Sequence, residues 1–248
     1  MNRFFPRLRK NLLSENRFSK YLLYAFGEII LVVIGILIAL QINNWNEARK
    51  EQVKEKYYLN SIKTSIDLSQ PELQRVIRDS RLISSCADTL FLMLSAGEFD
   101  QLEGITLDSL LFGAGDYSII SLNDGGIQEI LNTGSLDIIK DEGIRVILAS
   151  WHERMHKIRK FEAETGTNSK NYHQYLDQFV DSRRGELGRI VSVIIPDKRN
   201  ELLTDPQLAN YLAVIFFTHG KMHEMYAAEK SFLDSLDMLI DGYLAKLD

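Results

Sequence analysis

The sequence contains little cysteine and little proline, and these shortages exclude several classes of protein. A single cysteine rules out a disulfide framework, a multi-cysteine zinc ribbon and an iron–sulfur site. With only four prolines, 15 glycines and 45% hydrophobic residues, the chain is neither collagen-like, nor low in complexity, nor largely disordered. A formal net charge of −5 argues against a broad nucleic-acid-binding surface. What remains is a folded protein.

Common catalytic and nucleotide-binding motifs are also missing. The sequence contains no G-x-x-x-x-G-K-[ST], no G-x-S-x-G and no G-x-G-x-x-G. The segment Asn123-Asp-Gly-Gly126 is too short for a phosphate loop or an EF-hand, and it predicts a turn before a helix. Cys86 lies on a predicted helix without a base nearby in sequence, so we expect a small buried side chain. We therefore predict that the protein is not an enzyme and that it holds no cofactor.

Residues 21–42 read YLLYAFGEIILVVIGILIALQI, with Glu28 and Gln41 as the only strongly polar side chains. As a helix this segment spans about 33 Å, close to the roughly 30 Å hydrocarbon core of a bilayer. It is apolar on all sides from Ile29 to Leu40, which disfavours a core helix. The following residues, QINNWNE, lack the small residues of a signal-peptide cleavage site. We predict one uncleaved transmembrane helix over 21–42.

The basic residues predict how this helix is oriented. The twenty residues before Tyr21 contain six Lys or Arg, and the twenty after Ile42 contain four. This bias places residues 1–20 in the cytoplasm and residues 43–248 outside, in the periplasm of a bacterium. The predicted location is the inner membrane. Residues 1–20 combine basic and apolar side chains, so they form either an interfacial segment on an anionic leaflet or a solvated tail.

One face of the predicted membrane helix carries unusual residues. Glu28, Gly35 and Ala39 are separated by seven and four positions and therefore share a face. A carboxylate at this depth is costly unless it is paired, protonated or hydrated. Small residues spaced as Gly35-x-x-x-Ala39 allow close approach of a second helix. We expect packing against another membrane helix, from a second copy or a partner protein; the alternative is that Glu28 reaches the cytoplasmic headgroups.

The same region resembles a known family. The stretch Tyr24-Ala25-x-Gly27-Glu28-Ile29, followed by VVIGILIALQINNWNE over Val32–Glu47, is similar to a large family of uncharacterised single-pass membrane proteins of Bacteroidota. The segment ILNTGSLDIIKD, residues 130–141, is similar to that family's turn between helices. The resemblance implies a single-pass anchor with a helical extramembrane domain. It implies no activity, because the family has no assigned catalytic residues.

Hydrophobic spacing after residue 43 indicates an all-α protein. The membrane helix continues into water, and a capping box at Ser69-Gln-Pro-Glu72 predicts the start of a second helix. A third long helix is predicted over about 140–180 and a fourth from Pro206 to the end, each with apolar residues alternating at three and four positions. An insert over about 96–140 contains short helices near 106–112 and 124–132. These elements predict an antiparallel bundle of about four long helices.

The predicted packing faces of the third and fourth helices are interrupted by polar residues. The interruptions fall at Glu162–Ser169, His219 and Glu229. Such positions are water-filled, form a polar network or face a partner. The basic cluster of Arg154, Lys157, Arg159 and Lys160 is interpreted as a solvated face, with contact to lipid headgroups as the alternative.

Histidines supply the only candidate metal ligands. His152-Glu153-x-x-His156 has the i, i+4 spacing that suits zinc on a helix, with the glutamate as a general base. Arg154 places a charge where zinc proteases keep the helix apolar, and Arg159 replaces the glycine of the extended motif. His219 and His223 repeat the spacing, and an antiparallel hairpin brings them near His173. A metal or pH-responsive cluster of these three is a weak candidate beside hydrogen-bonded or solvated histidines.

Three functional hypotheses follow from these features. The first is a non-enzymatic single-pass inner-membrane protein whose periplasmic helical domain mediates protein–protein interaction or assembly. The second is a ligand-sensing bundle that acts through a partner subunit, because twenty cytoplasmic residues are too few for an output domain. The third, a zinc-dependent hydrolase using His152, Glu153 and His156, is disfavoured by the sequence around the motif. Expected partners are the lipid bilayer and another membrane helix, not nucleic acid.

Overall fold

The computed structural model describes residues 17–98, 104–186 and 192–247. The chain divides into two compact units, Met1–Glu55 and Lys56–Asp248. Helix α1 (Arg17–Ala96) contributes to both units. Most of the predicted cytoplasmic segment, residues 1–16, lies outside the described residues.

In the first unit, α1 carries the apolar run predicted to cross a membrane. Among the described residues, one helix near the N-terminus is long and apolar enough to span a bilayer. None of its apolar window is buried inside the chain's own fold. Leu31, Ile34 and Leu37 are each at least half exposed. Such a surface is stable in lipid and unfavourable in water.

The second unit is built from helices. After α1 come α2 (Gly104–Gly115), α3 (Gly125–Asn132), α4 (Glu142–Ala149), α5 (Trp151–Leu176), α6 (Arg183–Glu186), α7 (Arg199–Thr204) and α8 (Pro206–Leu247), with 3-10 turns at Ser135–Ile138 and Pro196–Lys198. Across the part of the chain that the structure describes, extended pairing is limited to one bridge between Val180 and Ile194. The all-α prediction is confirmed.

The long helices of this unit pack as an antiparallel bundle. Lys63 pairs with Asp237 at one end of the α1–α8 contact, and Ser84 Oγ donates to the Phe216 carbonyl at the other. The two helices therefore run in opposite directions. Arg154 pairs with Glu229, and Tyr172 contacts Tyr211, so α5 is also antiparallel to α8.

The predicted helix start at Ser69–Glu72 is wrong, because α1 continues through Pro71 without a break. Apolar side chains on both sides of the proline are buried in the core, with Ile66 before it and Leu73 and Val76 after it. This continuous burial outweighs the roughly 3 kcal/mol cost of an interior proline. The supposed capping hydroxyl, Ser69 Oγ, instead donates to the Ser65 carbonyl. The described residues therefore contain three long helices rather than about four.

The third predicted helix, 140–180, is interrupted at Ser150. Helix α4 ends at Ala149 and α5 begins at Trp151. The turn lets Ile144 and Leu148 of α4 bury in the core while the Trp151 indole donates to Asp124 Oδ2 at 3.1 Å. The start of the last helix at Pro206 is confirmed, as are short helices at 106–112 and 124–132, which fall within α2 and at α3.

The core of the second unit consists of two apolar clusters with polar residues between them. On α1 the buried residues of the first cluster end at Val76, and those of the second begin at Ile83. On α5 the buried residues of the first cluster end at Ile158, and those of the second begin at Tyr172. The gap holds buried polar side chains from all three long helices: Ser80, Glu162, Thr165, Ser169 and His219. The predicted polar interruptions are therefore buried inside the bundle.

Candidate functional site

Between α2 and α3, residues 116–124 form a non-helical segment, here called the strap, which is held by side chains of α1 and α5. The backbone N–H of Ser121 donates to Glu72 Oε1 at 2.9 Å, and that of Asn123 to Ser69 Oγ at 3.0 Å. Arg75 Nη2 donates to the Ile119 carbonyl at 2.9 Å. Because its backbone groups have side-chain partners, the strap needs no sheet or helix to keep its course.

A cavity of about 690 Å³ lies between the strap and α5 and is open to solvent. Its walls combine apolar surface with charged groups. They include Gly115 at the end of α2, then Asp116, Tyr117 and Ile119 of the strap, and from α5 Arg159, Gly166, Lys170 and His173. This volume is in the range of small-molecule sites.

One end of the cavity is organised by a buried carboxylate. The side chain of Glu162 is only 3% exposed, and its Oε2 accepts a hydrogen bond from Arg159 Nη1 at 2.8 Å. Its Oε1 accepts from the Ile120 backbone N–H at 2.7 Å and from the Tyr226 hydroxyl at 2.8 Å. Burial and the hydrogen bond to Glu162 raise the pKa of Tyr226. Charge and three donors thus stabilise Glu162 in the core, as a buried ion requires.

The other end is organised by the carbonyl oxygen of Gly115. It accepts hydrogen bonds from Ser169 Oγ and from His173 Nε2, the latter at 2.9 Å. Since a carbonyl only accepts, Nε2 of His173 carries a hydrogen. A side chain at position 115 would place its Cβ 2.7 Å from the His173 ring, so glycine is needed for this approach.

The basic cluster on α5 is only partly solvated, which corrects the sequence interpretation. Arg154 donates from Nε and Nη2 to the two oxygens of Glu229, at 3.0 and 2.8 Å. The Glu229 side chain is 4% exposed, and the guanidinium of Arg154 stacks on the Phe232 ring. Arg159 pairs with Glu162, as above. Lys157 and Lys160 are exposed, as predicted.

The histidines of the zinc-like motif lie on the surface. His152, Glu153 and His156 are all exposed, and His152 Nε2 lies 3.3 Å from Gln128 Oε1. His223 Nδ1 lies 3.0 Å from the Ile77 carbonyl, whereas His173 bonds to Gly115. Within residues 17–98, 104–186 and 192–247, no group of three or more His, Cys, Asp or Glu side chains is arranged to hold a metal ion. His219 is buried, and burial lowers its pKa to about 4.

One family model matches most of the sequence, including the strap and α5. A model described as a family of unknown function, DUF6090, matches residues 28–219. The chain belongs to this family. Comparison with curated proteins and with solved structures gives no match. Membership of a family of unknown function is confirmed, whereas the family's single-pass membrane character and bacterial phylum stay predictions.

The DUF6090 match begins at Glu28, the first of the three residues predicted to pack in the membrane. Glu28, Gly35 and Ala39 are exposed on α1. Apart from the chain neighbours of Gly35 and the backbone of its own helix, no described atom lies within 4 Å of a Cβ built at Gly35. Among the described residues, this face is therefore open. Cys86, expected to be buried, is partly buried, and burial raises the pKa of its thiol.

The cavity of this DUF6090 chain was not predicted from sequence. One signal was present: Glu162 falls on the packing face of α5, and Arg159 lies three residues earlier, within pairing distance on a helix. The strap had no such signal. Its course depends on Glu72, Ser69 and Arg75, which are about fifty residues away in sequence.

Proposed function

We propose that the protein is a non-enzymatic, single-pass protein of the bacterial inner membrane that assembles with other proteins. In this proposal residues 1–20 face the cytoplasm and the helical second unit lies in the periplasm. The observation that carries it is the apolar part of α1, whose surface the described residues of the chain leave uncovered. The excess of basic residues before this segment supports the orientation.

The face of Glu28, Gly35 and Ala39 is the proposed contact with another membrane helix. All three residues are exposed, and the positions about Gly35 leave room for a neighbouring backbone. A second helix would shield the carboxylate from lipid and pack closely against the small residues. The occupant is a second copy of this helix or the helix of a partner protein.

Chemical crosslinking in cells followed by purification of the full-length protein tests this assembly. Gly35→Leu should remove the crosslinked species, because the larger side chain prevents close helix approach. Gly27→Leu is the matched control, since Gly27 is exposed on the same helix and lies about 100° around its axis from Glu28. Equal crosslinking in both variants, or no crosslinked species in the unmodified protein, would contradict the proposal.

Ligand sensing is a second candidate function, favoured by the open cavity of about 690 Å³. The strap lines this cavity and also bonds to α1 through Glu72 and Arg75. A ligand that shifts the strap would therefore alter contacts between α1 and α5. A partner subunit would carry that change across the membrane.

A further inference from the structure

Arg159 differs from three other ion-paired arginines of the second unit, Arg75, Arg154 and Arg183, in which of its N–H groups bind an acceptor. The Nε and Nη2 groups form the side-on edge that matches the two oxygens of a carboxylate. This edge is filled in three pairs: Arg75–Glu72, Arg154–Glu229 and Arg183–Asp181. Arg159 instead uses Nη1 for both of its bonds, to Glu162 Oε2 and the Ile120 carbonyl. Among the described residues, its Nε and Nη2 have no acceptor.

This open edge belongs to a side chain that is held in position. Arg159 lines the cavity with 52% of its side chain exposed, while its partner Glu162 is 3% exposed and anchored by Ile120 and Tyr226. A binding group fixed by a buried second residue loses little conformational freedom when a ligand arrives. The apolar wall continues beside it, where the Tyr117 ring lies 3.7 Å from a Cβ built at Gly166.

We propose that this cavity binds a small organic monocarboxylate. The acid group accepts hydrogen bonds from Nε and Nη2 of Arg159, and the apolar body lies along Tyr117 and Gly166. One negative charge suits the site better than two, because Glu162 already balances part of the guanidinium charge. Asp116 and Lys170 also line the cavity, with an exposed carboxylate and an exposed ammonium group, so together they add no net charge to the site.

This inference rests on the second candidate function, ligand sensing, and is independent of the assembly proposal. The test uses the full-length protein in lipid nanodiscs and 4-fluorophenylacetate as the probe, observed by fluorine NMR. For a ligand of this size, a dissociation constant on the order of 1 mM is expected. The neutral isostere 4-fluorophenylacetamide should bind about tenfold more weakly, because it cannot make two charge-assisted bonds.

Two variants and a control assign the binding to Arg159. Arg159→Gln should weaken the acid about tenfold, and Arg159→Lys by a similar factor, because lysine keeps the charge but not the two-donor edge. Lys160→Gln removes the same charge one residue away and should leave binding unchanged. Equal affinity for acid and amide, no binding of the acid at millimolar concentration, or unchanged binding in Arg159→Lys would overturn the inference.

The same samples separate ligand binding from sensing. If sensing is correct, the acid should slow hydrogen exchange at the strap amides of Ile120, Ser121 and Asn123. Binding that leaves these exchange rates unchanged would uphold the carboxylate site and refute the sensing function.

Discussion

Gly126, at the start of α3, lies against the backbone of α1. A Cβ at this position would be 2.4 Å from the Ser61 carbonyl oxygen. The backbone N–H of Gly126 donates to Ser65 Oγ at 2.8 Å. The neighbouring Gly125 faces open space. A single methyl group is therefore excluded at one glycine and accepted at the next.

Replacing each glycine by alanine tests this contact. Gly126→Ala should lower the free energy of unfolding by about 2 kcal/mol or more, because two backbones must separate. Gly125→Ala should change it by no more than about 1 kcal/mol, in the stabilising direction. Chemical denaturation of the full-length protein in detergent measures both. Similar losses in the two variants would show that α3 does not approach α1 this closely.

His219 is a second residue whose environment has a measurable consequence. Burial lowers its folded-state pKa from 6.5 to about 4, so the folded protein holds this ring neutral while the unfolded chain protonates it below 6.5. The unfolded state then binds more protons, and stability falls as the pH drops from about 6.5 to about 4. The loss attributable to this ring is about 3 kcal/mol.

The free energy of unfolding, measured as a function of pH in the original protein and in His219→Gln, checks the stability loss attributed to this ring. The variant should lose the part of the pH dependence between about 4 and 6.5 that comes from this ring. Its stability at neutral pH serves as the reference for any packing change. Identical pH slopes in the two proteins would mean that His219 is hydrated or protonated in the folded state.

At the scale of helices, the Arg154–Glu229 pair joins α5 to α8. Both side-on donors of the arginine are used, and the carboxylate is almost fully buried. Removing one partner leaves a buried charge without compensation. Arg154→Met and Glu229→Leu should each reduce the free energy of unfolding by about 3 kcal/mol, whereas the double variant should recover most of the loss.

A double-mutant cycle of denaturation midpoints provides the measurement. Lys157→Met, an exposed neighbour on α5, is the control and should change stability by less than about 0.5 kcal/mol. Additive losses in the double variant would indicate that the two side chains do not interact in solution.

Helix boundaries show which elements can be predicted from sequence. Pro206 opens α8 as expected, since proline at the first helical position needs no N–H partner. Pro71, by contrast, lies inside α1, because burial of Leu73 and Val76 favours continuing the helix. A capping motif describes local preference only. Packing against distant elements decided whether the helix ended there.

The same limit applies to polar side chains on packing faces. Burial of Glu162, His219 and Glu229 could be predicted, because each falls on an apolar spacing of three and four residues. Their partners could not all be found in this way. Arg159 is a neighbour in sequence, but Glu229 pairs with a residue 75 positions away.

For the whole molecule, the fold class and the long apolar part of α1 follow from patterns that extend over many residues. The cavity does not follow from such patterns. It forms because the strap runs between α1 and α5, held by hydrogen bonds that join residues 39 to 54 positions apart in sequence. A long apolar run is sufficient to predict an element. A site between elements depends on their three-dimensional arrangement.

The orientation of the second unit is the central claim of the functional proposal. An epitope added after Asp248 and treated with protease in intact spheroplasts tests it most directly, with the protein confirmed in the membrane fraction. We expect the epitope to be digested while a cytoplasmic marker protein stays intact. An epitope that remains protected until the membrane is broken would place the helical unit in the cytoplasm and contradict the account.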